Sequence, residues 1–282
     1  WYRDGVPIVL GGTLKDGVNG VDGLDGPKSV KISSDGRFAY VTGFSDDSVA
    51  WFERNSSTGS LNYMGMVKDG VNGVDGLNGA YGITISPDGK HIYIPSFDDS
   101  AISSFEVNAS TGAISYFGLM KDGVGGVNGL EDSYRAVISA NGRHLYSVAK
   151  KDKSVTWFER NATSGVLTFL GFLRDGVNGV DGLNWPIGLT MSNDQKHIYV
   201  SGFEDDSISW FERNSSTGAL TYLGVLIDGN NGVSQLRGAY PPTISADDSF
   251  VYVVSRHDNA VNWFERNATD GSLTFRGFLK DG

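Results

Sequence analysis

The stretch Lys15–Leu24 reads KDGVNGVDGL, and the 282-residue chain keeps returning to it. It comes back as KDGVNGVDGL from Lys68, KDGVGGVNGL from Lys121, RDGVNGVDGL from Arg174 and IDGNNGVSQL from Ile227, and Lys280-Asp-Gly begins it again, always 53 residues after the previous copy. A fixed period of this size marks a repeat architecture, in which each unit buries its apolar face only against its neighbours. The repeats are 15–67, 68–120, 121–173, 174–226 and 227–282, with residues 1–14 ahead of them. No linker composition separates them, so 1–282 reads as a single domain.

Each repeat carries the signals of four short strands. Val30–Ser33 in VKISSDG alternates apolar and polar residues, and Asp35-Gly36 supplies a tight turn into FAYVTG, where Tyr40, Tyr93, Tyr146, Tyr199 and Tyr252 stand in register. A loop bearing Asp46, Asp99, Asp152, Asp205 and Asp258 leads to SVAWFERN and its copies, and an Asn-x-x-Thr-Gly turn leads to a fourth strand such as SLNYMG. Four-stranded antiparallel sheets repeated radially are blades of a β-propeller. The expected fold is all-β, a five-bladed ring or part of a larger one. Pro7–Leu14 resembles a fourth strand without the three that precede it, and so reads as an extra N-terminal strand.

SPDGKHIYI at Ser86–Ile94, a variable loop, a strand and an STGxL turn together resemble the lactonase-type propellers related to 6-phosphogluconolactonase. The resemblance runs through every repeat. Its motifs report blade construction rather than chemistry, and those relatives usually have seven blades where this chain holds five copies.

Composition narrows the function classes. A net charge of −10 argues against nucleic acid or an anionic membrane as partner, since both require a basic footprint. With no cysteine, neither disulfides nor thiolate metal sites can form. No apolar run of about 18 residues is present to span a membrane. A chain beginning at Trp1 suggests a mature or trimmed product whose signal peptide, if any, is already gone, which allows secretion, and the expected location is extracellular or at the cell surface.

Candidate sites fall on both ends of the blades. The return loops carry Asp16, Asp69, Asp122, Asp175 and Asp228, an oxygen-rich set for which calcium is the candidate ion and turn formation the competing reading, with no other cofactor indicated. Positions where one copy departs from the rest are better candidates for a ligand. Tyr81, Tyr134 and Tyr240 share a position, Trp185 stands where most copies have Gly, Arg135 replaces a small residue or Pro, and Arg256-His257 makes the fifth aspartate loop basic. Aromatic rings beside a few directional polar groups suit a sugar. On the opposite side Asn55, Asn108, Asn161, Asn214 and Asn267 all satisfy the N-x-[ST] rule for glycosylation.

No GxSxG elbow, HExxH helix or P-loop is present, His91, His144 and His197 read as strand residues, and the recurrent Glu53, Glu106, Glu159, Glu212 and Glu265 read as partners of the neighbouring Arg54, Arg160, Arg213 and Arg266. From residues alone the favoured reading is a non-enzymatic extracellular module. It would be a glycan binder, or a glycosylated fibre subunit joined to itself head to tail by donation of residues 7–14. The alternative is a lactonase-like hydrolase that polarises an ester carbonyl through a cation or through Arg135, Arg256 and His257 near the channel.

Overall fold

The computed structural model describes residues 12–282, together with a short ladder between Tyr2–Arg3 and Val6–Pro7. The extra strand expected over Pro7–Leu14 falls largely outside the described residues, and Gly12–Leu14 carry no ladder. Five four-stranded antiparallel sheets follow in chain order, each a meander. Blade 1 is Pro27–Ile32, Phe38–Gly43, Ser48–Arg54 and Leu61–Lys68. Blade 3 is Ser133–Ile138, His144–Ala149, Ser154–Arg160 and Leu167–Arg174, and blade 4 is Pro186–Met191, His197–Gly202, Ser207–Arg213 and Leu220–Ile227.

Blades 2 and 5 keep their second to fourth strands, His91–Ser96, Ala101–Val107 and Ile114–Lys121, and Phe250–Ser255, Ala260–Arg266 and Leu273–Lys280. Their first strands shrink to Thr84–Ile85 and Thr243–Ile244. The cause is proline, which cannot donate to a ladder. Pro241-Pro242 opens the short strand of blade 5, and Pro95 sits opposite it in blade 2.

One rule of packing repeats inside the blades. The third-strand Trp lies across the fourth-strand Gly, as Trp51 does on Gly65, and the ladder shifts register just beyond that pair. A Cβ on Gly65, Gly171, Gly224 or Gly277 would fall 2.6–2.9 Å from the indole, so only glycine fits there. Blade 2 has Ser104 in place of Trp, and beside Gly118 there is open space. Between blades the core is aromatic and aliphatic, with Phe52, Phe105, Phe158, Phe211 and Phe264 wholly buried.

The five blades form an open arc. Tyr40, Tyr93, Tyr146 and Tyr199 are 0% exposed, but their counterpart Tyr252 in the last blade is 38% exposed. Val254 and Val261 of the same face are exposed where Thr42, Val148 and Ser201, and Val49, Ile102, Val155 and Ile208, are buried. At the other end Val30 and Ile32 of blade 1 lie open, while blade 4 buries most of the equivalent strand. A five-bladed closed ring is therefore not what this sequence forms.

Candidate active site at the channel mouth

The return loops and the second-to-third-strand loops emerge on one face and are clamped together by pairs of aspartates. Asp16 accepts a hydrogen bond from the Leu24 amide at 2.9 Å, and Asp69, Asp122, Asp175 and Asp228 do the same for Leu77, Leu130, Leu183 and Leu236. From the neighbouring loop, Asp46, Asp99, Asp152, Asp205 and Asp258 each accept the next amide along. This bracing accounts for the recurrence of the five aspartates, for which turn formation and calcium are the two readings. In three repeats the carboxylates do converge: Asp16 with Asp22 and Asp46, Asp69 with Asp75 and Asp99, and Asp175 with Asp181 and Asp205 place oxygens within 4.8 Å of one another. Asp122 and Asp228 lack such a set, because Asn128 and Ser234 stand where the others have the middle aspartate.

The divergent positions converge as well. Tyr81, Tyr134, Arg135, Trp185, Tyr240, Arg256 and His257, drawn from blades 2 to 5, all line one mouth cavity of about 280 Å³, joined by Ile187, Phe203, Glu204 and Pro241. Tyr81 packs edge to face on Tyr134 with centroids 4.5 Å apart and Phe203 against His257 at 5.1 Å, while Trp185 lies tilted beside Phe203 at 5.0 Å. Such contacts hold aromatic walls rigid. Burial raises the Tyr81 and Tyr134 hydroxyls above the ordinary phenol range, with Arg135 pulling Tyr81 partly back, so both remain neutral donors at neutral pH.

Two features of this cavity escaped the sequence reading. Phe44, Phe97 and Phe203 share a loop position with Lys150 and Arg256, so three blades bring a ring to it and two a cation, and the Lys150 ammonium lies 3.9 Å from the Trp185 ring centroid. Trp185 has φ 56°, in the left-handed region where three of the other four copies use glycine. Holding a bulky residue there costs about 1–3 kcal/mol, and strain of this kind is kept where a side chain is needed.

The opposite rim has a different chemistry. Each expected glycosylation asparagine is exposed and uses its side-chain oxygen to close its own hairpin; Asn55 accepts from the Ser57 and Thr58 amides, and Asn108, Asn161, Asn214 and Asn267 repeat the motif. The recurrent glutamates do not pair with the adjacent arginines: Glu159 meets Arg143 and Glu265 meets Arg276 on the surface. The arginines instead turn inward between blades. Arg160 donates to the Tyr93 hydroxyl at 2.9 Å, to Asp88 and to His91 Nδ1 at 2.7 Å, while Tyr93 donates to the Gly165 carbonyl of the next hairpin.

Arg213 with Tyr146 and His144, and Arg266 with Tyr199, His197 and Asp194, repeat this lock. Burial and the facing guanidinium lower all three histidines, His144 to about 4, so they stay neutral acceptors. For Asp88 and Asp194 burial alone would raise the carboxyl, but hydrogen bonds from Ser86 and Arg160, and from Ser192 and Arg266, hold each at about 2. The visible signal was covariation: Phe38 goes with Val107, and each His with an Arg one blade on.

A family model described as lactonase, seven-bladed β-propeller, matches residues 16–174 and 173–278, nearly the whole described chain. The chain belongs to the lactonase family. It is 25% identical over 206 residues to a 6-phosphogluconolactonase of Pectobacterium carotovorum subsp. carotovorum (strain PC1), spanning 73% of this chain and 59% of that relative. Among solved structures, a protein from Lactobacillus plantarum superposes with a TM-score of 0.74 at 16% identity, covering 89% of this chain and 70% of that one. The periplasmic gluconolactonase of Pseudomonas aeruginosa gives 0.70 at 16% identity, over 90% and 72%.

The 70% and 72% shares of the solved structures are what five blades laid on a seven-bladed ring would cover, while the chain spans 59% of the curated relative. Membership of this family and the relatives' names overturn the non-enzymatic reading, and with it the glycan-binding module and the glycosylated fibre. The missing nucleophile motifs misled, because opening a lactone with water needs no covalent enzyme intermediate.

Proposed function

We propose that this lactonase-family chain supplies the mouth of a sugar-lactone hydrolase. The observation that carries the reading is the convergence of Arg135, Arg256 and His257 with five aromatic rings in one cavity. The rings offer faces and edges to the C–H side of a sugar. Arg135 and Arg256 stand as donors for the carbonyl oxygen, whose negative charge grows as water adds to the carbonyl carbon. His257 takes the proton of the attacking water and returns it to the ring oxygen as the C–O bond breaks, leaving a hydroxy acid whose new carboxylate meets the same arginines. Lys150 on Trp185 adds a further cation, which favours lactones of anionic sugars although the protein as a whole is acidic.

A panel of phosphorylated and unphosphorylated aldonolactones, followed by acid release above the uncatalysed rate, tests the reading. Turnover that drops about 100-fold in Arg256→Ala supports it. Turnover unchanged by Arg135→Ala, Arg256→Ala and His257→Ala moves the chemistry elsewhere. An extracellular placement belongs with this reading as a proposal, which fractionation of the source cells tests.

A further inference from the structure

The hairpin rim repeats its lock, but the charge that balances each arginine does not repeat. Arg266 pairs with two turn carboxylates, Asp194 and Asp248, each at 2.8 Å, and Arg160 pairs with one, Asp88, at 2.8 Å. Arg213 is only 5% exposed, and among the described residues no carboxylate pairs with it. Its partners are the Tyr146 hydroxyl, the Gln195 carbonyl and His144 Nδ1, all of them neutral. Amides stand in the acidic places: Asn141 for Asp88 and Asp194, and Gln195 for Asp248. A guanidinium taken out of water without a counter-charge is strongly destabilising.

The Asn141 side chain is fixed in one orientation. Its Oδ1 accepts from the Ser139 hydroxyl at 2.7 Å and from the Arg143 amide at 3.1 Å, as Asp88 Oδ1 accepts from Ser86 and Lys90, and Asp194 Oδ1 from Ser192 and Lys196. A backbone N–H can only donate, so Oδ1 cannot trade places with Nδ2. Nδ2 therefore takes the place of the carboxylate oxygen that accepts from arginine in the other two turns, Asp88 Oδ2 from Arg160 and Asp194 Oδ2 from Arg266. Between blades 3 and 4, two N–H donors face each other across the position where the other locks hold an anion. The field there is also more positive. Burial, with Arg213 and Arg143, lowers His144 to about 4 against Glu159 alone, whereas Asp88 joins Glu106 in opposing the fall at His91, and Asp194 joins Glu212 at His197.

We propose that this turn binds one small monovalent anion of the halide class, bridged between Arg213 Nη2 and Asn141 Nδ2, in the role that Asp88 and Asp194 fill in the neighbouring locks. One guanidinium balances one charge, and two N–H donors suit a spherical ion better than an oxyanion with several acceptors to satisfy. The place is reachable from water, since the carboxylates at its equivalents are 33% and 27% exposed. Because Asn141 belongs to blade 3 and Arg213 to blade 4, the ion joins the two blades.

The full chain is melted at constant ionic strength while sodium chloride replaces the sodium salt of a bulky organic sulfonate. The midpoint is expected to rise by about 3 °C across the exchange, since a ligand that binds only the folded state stabilises it by mass action. Asn141→Asp supplies the carboxylate in place, and is expected to melt higher than the parent without chloride and to lose most of the chloride-dependent rise. Asp88→Asn turns the Arg160 lock into a copy of this one, and is expected to add a second chloride-dependent rise of similar size. If that variant folds poorly, the parent and Asn141→Asp decide the question alone. A parent midpoint indifferent to chloride would mean that water bridges the two donors, and would overturn the proposal. An equal rise in the parent and in Asn141→Asp would mark a general salt effect and overturn it too.

Discussion

The two faces of the arc use repetition in opposite ways. At the hairpin rim, three successive interfaces carry the same Arg, Tyr and His in the same poses, with Arg Nε to Tyr hydroxyl distances of 2.8–2.9 Å. At the mouth no two blades contribute the same pair of residues: Tyr134 and Arg135 come from blade 3, Trp185 from blade 4, Tyr240 and His257 from blade 5. A lock that must join each blade to the next is under identical demands every 53 residues. A pocket that must bind one asymmetric molecule needs every blade to differ. The comparison assigns stability to the rim and chemistry to the mouth, and it can be broken from either side.

The largest effect on stability is expected at the rim. Arg266→Ala removes the donor of His197 Nδ1 and of the Tyr199 hydroxyl and one of the donors to Asp194, and should lower the unfolding free energy by about 3 kcal/mol in urea denaturation. Lactone turnover measured well below the transition should hold within about twofold. Arg160→Val should cost a similar amount alone, and His91→Phe added to it should return about 1–2 kcal/mol, since the pair then copies Phe38 with Val107. A double variant no better than the single one would contradict this pairing of Phe with an aliphatic residue and His with Arg.

The next effect is in pH. A histidine lowered on folding binds its proton more readily in the unfolded chain, so its contribution to stability is intact above about pH 6.5 and is lost as pH falls through that value toward the folded pKa. For His144 the window closes at about 4. Thermal midpoints should therefore fall between pH 6.5 and 4, and less steeply in the His144→Phe, Arg213→Val protein. Equal slopes would mean that other groups govern acid unfolding. The smallest effect is expected at the hairpin asparagines, where Asn161→Ala removes two short turn bonds and should cost about 1 kcal/mol or less.

How much of this was legible depended on whether the cause was local. The period, the strand order and the Asp and Asn turn residues follow from chemistry within a few positions of each other, and KDGVNGVDGL announced them. The mouth set was found by asking where copies disagree, and that method reached Trp185 and Arg256. It missed Phe203 because that ring agrees with Phe44 and Phe97, and its role arises only from what surrounds it. The rim lock was missed because its partners lie 67–72 residues apart, one blade over, whereas Glu159 sits beside Arg160 in sequence and drew the pairing. The open arc was not legible in the count of repeats. It shows in the exposure of Tyr252, Val254 and Val261 at one end and of Val30 and Ile32 at the other.

The division of labour is tested most directly by measuring lactone turnover and unfolding free energy together in Arg256→Ala and Arg266→Ala. The account expects Arg256→Ala to lose about 100-fold in kcat/KM with stability within about 0.5 kcal/mol of the parent, and Arg266→Ala to show the reverse. Full turnover in Arg256→Ala, or a loss in both proteins that tracks stability alone, would contradict it.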